Sequence, residues 1–147
     1  METKGGFYIT QIKQLQDRIF ERLLVESGLE VSSGQGRILF VLWKKDSLTV
    51  GEISKQTSLA KNTISITVDG MVNKGILKRE INPNNRRETI ISLTDSAKMM
   101  RDQYSEVSDK MNQLFYTGFS EEEQKQFEGY LARIRDTLVE VEQEMGK

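Results

Sequence analysis

A chain of 147 residues with 37% hydrophobic and 29% charged side chains has the size and balance of one globular domain. It carries a formal net charge of −1 and neither cysteine nor histidine, which excludes disulfides, thiol redox sensing, thiolate metal sites and the commonest general base. No run approaches the roughly 18–20 apolar residues of a membrane span, and Met1–Gly6 lacks the apolar stretch of a secretory signal, so no membrane contact and a cytoplasmic location are expected.

Taken in order, the first element is a long helix from about 7 to 27. Ile9, Ile12, Leu15, Ile19 and Leu23 recur in steps of three and four, and Gly28 stands where a left-handed C-terminal cap belongs. Ser32 or Ser33 then caps a second helix, about 34–45, with Ile38, Leu39, Leu42 and Trp43 facing inward. Thr49-Val50-Gly51-Glu52 is a capping box that starts a short helix, about 50–56. After a tight break at Thr57-Ser58, a fourth helix spans about 60–74 and buries Ile64, Val68, Met71 and Val72.

The period then changes. Ile76–Ile81 reads as a strand, Asn82-Pro83-Asn84-Asn85 as a turn around the only proline, and Arg87–Leu93 as the returning strand. This hairpin is the only strand pair expected. Thr94 and Asp95 open a helix of about 95–117 with Ala97, Met100, Tyr104, Val107, Met111 and Leu114 in its stripe, ended by Gly118. Ser120-Glu121-Glu122-Glu123, a further capping box, begins the last helix, about 121–145. There Phe127, Leu131, Ile134, Leu138, Val141 and Met145 alternate steps of four and three, which is a heptad seam.

Charge is unevenly placed along this order. Residues 1–36 hold 4 basic and 5 acidic side chains, residues 37–94 hold 10 and 5, and residues 95–147 hold 7 and 12. A centre of +5 between ends of −1 and −5 fits a chain with one face for a polyanion. No Gly-rich phosphate loop, no Gly-x-Ser-x-Gly turn and no clustered Asp motif is present, so catalysis, cofactors and metals are not expected.

Two short helices with a tight turn, followed at once by a hairpin, describe a winged helix-turn-helix. One helix fits a DNA major groove, the preceding helix braces it, and the hairpin reaches the neighbouring groove or backbone. Lys61, Asn62, Ser65, Ile66 and Asp69 lie off the buried face of the second helix of the pair. Lys and Ser suit phosphate oxygens, and Asn can pair with adenine. Asn84, Asn85, Arg86 and Arg87 stand at the hairpin tip, suited to phosphates or a narrow minor groove.

The segments Leu48–Ser54, Leu59–Ser65, Val68–Leu77 and Asn85-Arg86-Arg87 through Ile91-Ser92-Leu93-Thr94 together resemble the MarR family of regulators. Their spacing holds without a gap from Leu48 to Thr94, and the flanking helices fit the family's outline over nearly the whole chain. The resemblance implies a mainly α fold with a small hairpin wing, read as a single domain, 1–147. A winged helix-turn-helix of about 33–94 would lie between dimerisation helices of about 6–28 and 95–147. It implies a homodimer whose recognition helices enter successive major grooves of a palindromic operator. Lys61, Asn62, Thr63 and Ser65 match recognition-helix contact positions, and Arg87 matches an arginine inserted into the minor groove. Two positions depart from the family. Asn85 stands where Asp is frequent, which removes a charge beside the wing arginine. Ile66 stands where Arg is frequent, and would meet a thymine methyl or the partner helix rather than guanine.

Dimerisation also has a case from the residues. Leaving the seam Phe127, Leu131, Ile134 and Leu138 in water costs several kcal/mol at about 25 cal/mol per Å², and the first helix carries a matching stripe through Ile12 and Ile19. A partner helix within the same chain would satisfy the same pattern. The resemblance further implies a small aromatic or anionic effector at a junction where Ile12, Gln16, Phe40, Trp43 and Tyr104 could lie, although aromatic residues at helical spacing also serve as plain core. The reading is a DNA-binding, ligand-responsive repressor and not an enzyme. The alternative is a non-catalytic winged-helix module that binds protein.

Overall fold

The computed structural model describes Met1–Lys147, with seven helices and three strands. In chain order these are α1 (Gly5–Glu26), α2 (Ser33–Lys44), β1 (Leu48–Thr49), α3 (Val50–Thr57), α4 (Lys61–Asn73), β2 (Leu77–Asn82), β3 (Asn85–Leu93), α5 (Asp95–Met99), α6 (Arg101–Phe115) and α7 (Glu121–Met145). The chain divides into two units, Met1–Met111 and Asn112–Lys147. No helix is long and apolar enough to cross a membrane.

The core of the first unit follows the apolar periodicity. Ile38, Leu39 and Leu42 of α2, Ile53 of α3, and Ile64, Val68 and Met71 of α4 are all fully buried. Leu48, Leu77 and Ile91 close this core from the sheet. Each such side chain contributes about 1.5–3 kcal/mol by leaving water. Val72 and Trp43, both expected inside, are half-buried.

Helix ends form where the sequence signals them. Ser32 and Thr49 each make the reciprocal capping box, with Gln35 and Glu52 respectively. Gly28 has φ +79, and Leu29 N–H donates to the Leu24 carbonyl at 2.9 Å, the bond that closes a left-handed helix end. Helix α1 is tied down by polar contacts. Arg37 bonds Asp17 at 2.7 Å, and Ser33 donates to Glu21 through its N–H and its hydroxyl. Of its 22 residues only Leu24 is buried.

Two expectations need correcting. The sheet has three strands in the order β1-β3-β2, because Leu48 and Thr49 pair antiparallel with Ile91 and Ile90. Two residues are too few to show alternation. The hairpin register runs from Leu77 opposite Leu93 to Ile81 opposite Thr89, then shifts at a bulge to Asn82 opposite Asn85.

The helix expected over 95–117 is interrupted at Met100, separating α5 from α6. The indole of Trp43 donates to the Ala97 carbonyl at 3.0 Å, and Met100 N–H takes the same carbonyl in a tighter turn at 3.2 Å. A tertiary hydrogen bond therefore engages the acceptor that a continuous helix would offer to residue 101.

The second unit holds the end of α6, the turn at Gly118 (φ +86) and α7. Phe115, Tyr116, Phe119 and Phe127 form an aromatic cluster with ring centroids 4.9–6.3 Å apart, and the Tyr116 hydroxyl donates to Glu128. Ser120 and Glu123 cap α7 reciprocally. None of the 25 residues of α7 is buried.

Candidate nucleic-acid interface

The turn between α3 and α4 is built from local hydrogen bonds. Ser58 ends α3 in the left-handed region at φ 60. The Ser54 hydroxyl donates to the Leu59 carbonyl at 2.6 Å. Thr57 donates its hydroxyl to the Ile53 carbonyl at 2.8 Å and accepts from Leu59 N–H at 3.2 Å. These bonds satisfy the groups that a sharp helix-to-helix change would orphan. At the other end of α3, hydrogen bonds from the Thr49 backbone and side chain hold the Glu52 carboxyl below its ordinary pKa.

With Ile64, Val68 and Met71 turned inward, α4 presents Lys61, Asn62, Thr63 and Ile66 to solvent, with Ser65 half-buried beside them. Its N-cap is Ala60, which supplies no side-chain acceptor, and its first turn has no acidic residue. The leading amides of α4 are thus free of a side-chain cap, an arrangement suited to a phosphate.

Arg79 of β2 reaches across to α4. Its guanidinium donates to the Ser65 carbonyl at 3.2 Å and pairs with Asp69 one turn further on. This cation fixes the wing's first strand to the outer face of the helix. Nothing in the sequence singles it out, since one arginine in an exposed strand carries no periodic signal.

At the wing tip, Asn85 does structural work without charge. Its side-chain oxygen accepts from Arg87 N–H at 3.1 Å, and its amide donates to Glu88 at 3.0 Å. Asn84 N–H is held by Asn82 at 3.0 Å. Arg86 and Arg87 are exposed, and neither guanidinium has an acidic partner. Lys61 is also unpaired. Three cations on α4 and the wing are therefore free to meet phosphates.

The residues considered for an effector are only partly brought together. Tyr104 packs at a tilt against Trp43 at 5.0 Å and Phe20 at 5.5 Å, over Gly36, and burial pushes its hydroxyl pKa up to about 12. Gly36 leaves the space this ring occupies, since a Cβ there would stand 2.4 Å from the tyrosine oxygen. Gln16 is half-buried, Ile12 is exposed, and Phe40 is exposed beneath the Lys44 ammonium at 4.3 Å. Trp43 also lines a surface hollow of about 340 Å³ with Leu42, Asp46, Leu93, Lys98 and Arg101, and none of Ile12, Gln16, Phe40 or Tyr104 borders it.

The dimerisation candidates divide by exposure. Ile12 and Ile19 on α1, and Ile134 and Leu138 on α7, are 40–60% exposed. Phe127 and Leu131 are half-buried, Phe127 because it joins the aromatic cluster of its own unit. Along α7, Tyr130, Arg133, Ile134, Thr137 and Leu138 line an open groove of about 400 Å³.

Comparison with known proteins agrees with this arrangement. Residues 31–89 match the family model of the MarR family. The chain is 23% identical over 127 residues to the uncharacterized HTH-type transcriptional regulator YwhA of Bacillus subtilis, covering 86% of each chain. Its fold matches that of MepR from Staphylococcus aureus, solved as a DNA complex, with a TM-score of 0.84 at 22% identity over 93% of this chain and 99% of that one. It also matches BpsR of Bordetella bronchiseptica, whose structure concerns regulation of DNA binding by 6-hydroxynicotinic acid, with a TM-score of 0.81 at 17% identity over 89% and 92% of the two chains. The MarR family model thus matches the stretch from α2 into the wing, and the fold of the whole chain matches that of solved regulators built around the same module.

Proposed function

We propose that the protein acts as a homodimeric repressor that grips a palindromic operator and is released by a small aromatic or anionic ligand. The observation that carries the DNA-binding half is the shared outward face of α4 and the wing. Lys61, Arg86 and Arg87 stand there without acidic partners, around a helix whose apolar residues all but Ile66 are turned away. Exposed cations beside a recognition helix suit phosphate oxygens, and release of condensed counterions then drives association. The solved DNA complex of MepR, on the same fold, supports this reading.

Homodimerisation rests on the family resemblance and on two apolar stripes, one on α1 and one on α7, that their own units leave exposed. In a dimer the two recognition helices have one separation, set against half-sites roughly 34–36 Å apart. A ligand that prefers a different separation lowers operator affinity by its differential affinity for the two states. Trp43, with Lys98 and Arg101 beside it, offers an aromatic face and two cations to such a ligand. The effector named for BpsR has that chemistry. A regulator of this kind works in the cytoplasm and needs no catalytic group.

Gel shift against the DNA upstream of the protein's own reading frame, across a salt series, tests the reading. Affinity falls steeply as salt rises if phosphates dominate, whereas a module that binds protein through apolar contacts shows a shallow dependence and no shift. Arg87→Ala lowers operator affinity roughly tenfold and reduces the salt slope by about 1 without changing the thermal midpoint. Unchanged affinity in that variant refutes the role given to the wing.

A further inference from the structure

Ile66 is 73% exposed in the middle of the polar face of α4, and from Val41 to Glu80 it is the only large apolar side chain left in water. Neither α3 nor the wing covers it. Its surroundings are the proposed groove-reading surface. Asn62 lies one turn before it on the same side of the helix, and Asp69 lies one turn after. Arg79 holds the helix at Ser65 and Asp69, so the stretch bearing Ile66 is anchored to the wing on either side of it.

We infer that Ile66 is a specificity-determining residue that reads the 5-methyl group of a thymine in the major groove. The inference rests on the DNA-binding reading above and adds to it which base the exposed isoleucine selects. In the major groove, the thymine methyl is the largest apolar group that a base edge presents; cytosine offers only a C–H at the same place, and the groups that distinguish guanine are hydrogen-bond acceptors. An aliphatic side chain in the centre of that surface gains nothing from guanine or cytosine edges and leaves their polar atoms unsatisfied. Isoleucine suits the task, because its branched Cβ restricts the first side-chain torsion and little freedom is lost when the side chain is covered. Asn62 can accept and donate to an adenine edge. The two side chains, four residues apart, then favour an A·T-containing step over a G·C one.

The test uses the full-length protein and duplexes that it selects from a random-sequence pool. Each thymine of a selected half-site is replaced in turn by uracil, which removes only the methyl group. One position in each half-site then lowers affinity about fourfold, the equivalent of one methylene-sized apolar group. Ile66→Ala binds the thymine and uracil duplexes equally, and Lys61→Ala keeps the wild-type ratio while weakening both. Absence of any uracil effect in the wild type overturns the assignment, and so does an effect that persists in Ile66→Ala. In either case retained duplex binding leaves the DNA-binding reading intact. Failure to select any duplex overturns both. A dimer dissociated by Ile66→Ala would instead place this side chain against a second copy of the chain, contrary to the inference.

Discussion

Helices α4 and α7 are both amphipathic, yet they use their apolar residues in opposite ways. Ile64, Val68 and Met71 of α4 are fully buried within its own unit, and Val72 is half-buried beside them. Helix α7 has the more regular pattern, with Ile134, Leu138, Val141 and Met145 in step, and buries none of its residues. Periodicity therefore identifies a face that will be covered, but not what covers it. On α4 the cover is the chain's own core. On α7 the heptad spacing is that of helices packing along their length, which suits a second copy of the chain.

The two helices should respond differently to one substitution. Ile64→Ala should cost about 2–5 kcal/mol of unfolding free energy, whatever the protein concentration, because it opens a cavity in a closed core. Ile134→Ala should leave the low-concentration melting temperature unchanged and lower it only where the wild type gains from self-association. Chemical denaturation over a hundredfold concentration range checks both, and an equal, concentration-independent loss would erase the distinction.

Smaller effects sharpen the picture of the first unit. Gly36→Ala should destabilise by about 1–3 kcal/mol, since the new methyl group would displace the Tyr104 ring from its contact with Trp43. Near-ultraviolet circular dichroism reads the loss of that aromatic contact. Thr49→Ala should cost about 1 kcal/mol at neutral pH by removing the cap of α3. The pH sign follows from Glu52, whose carboxyl is held below its ordinary pKa. Its contribution is complete above the unfolded-state value and is lost as pH falls through the lower folded-state value. The difference between wild type and Thr49→Ala should accordingly narrow on acidification.

Much of this architecture was legible in the residues. Helices, caps and hairpin lie within a few positions of where periodicity and turn chemistry put them, because the relevant forces act within four residues along the chain. What escaped were contacts between distant positions. Leu48-Thr49 becomes a strand only because Ile90 and Ile91 lie beside it. The helix breaks at Met100 because Trp43, 54 residues from Ala97, takes part in that carbonyl's bonding. Within the candidate interface, Lys61, Asn62, Thr63, Arg86 and Arg87 stand exposed on one module, while Arg79 became visible only once Ser65 and Asp69 were placed next to it. Asn85 shows the reverse case. The sequence shows only that it removes a charge beside the wing arginine, whereas its side-chain amide makes two hydrogen bonds that hold the tip.

On this reading the uncovered stripe of α7 serves a second copy of the chain. Sedimentation equilibrium of the wild type and of Leu138→Asp at micromolar concentration addresses it most directly, because a carboxylate at an exposed position should disturb an interface and not a fold. The wild type should sediment at twice the mass of one chain, and the variant as a folded single chain with weakened operator binding. A wild type that sediments as one chain, or a variant that remains dimeric, would contradict it.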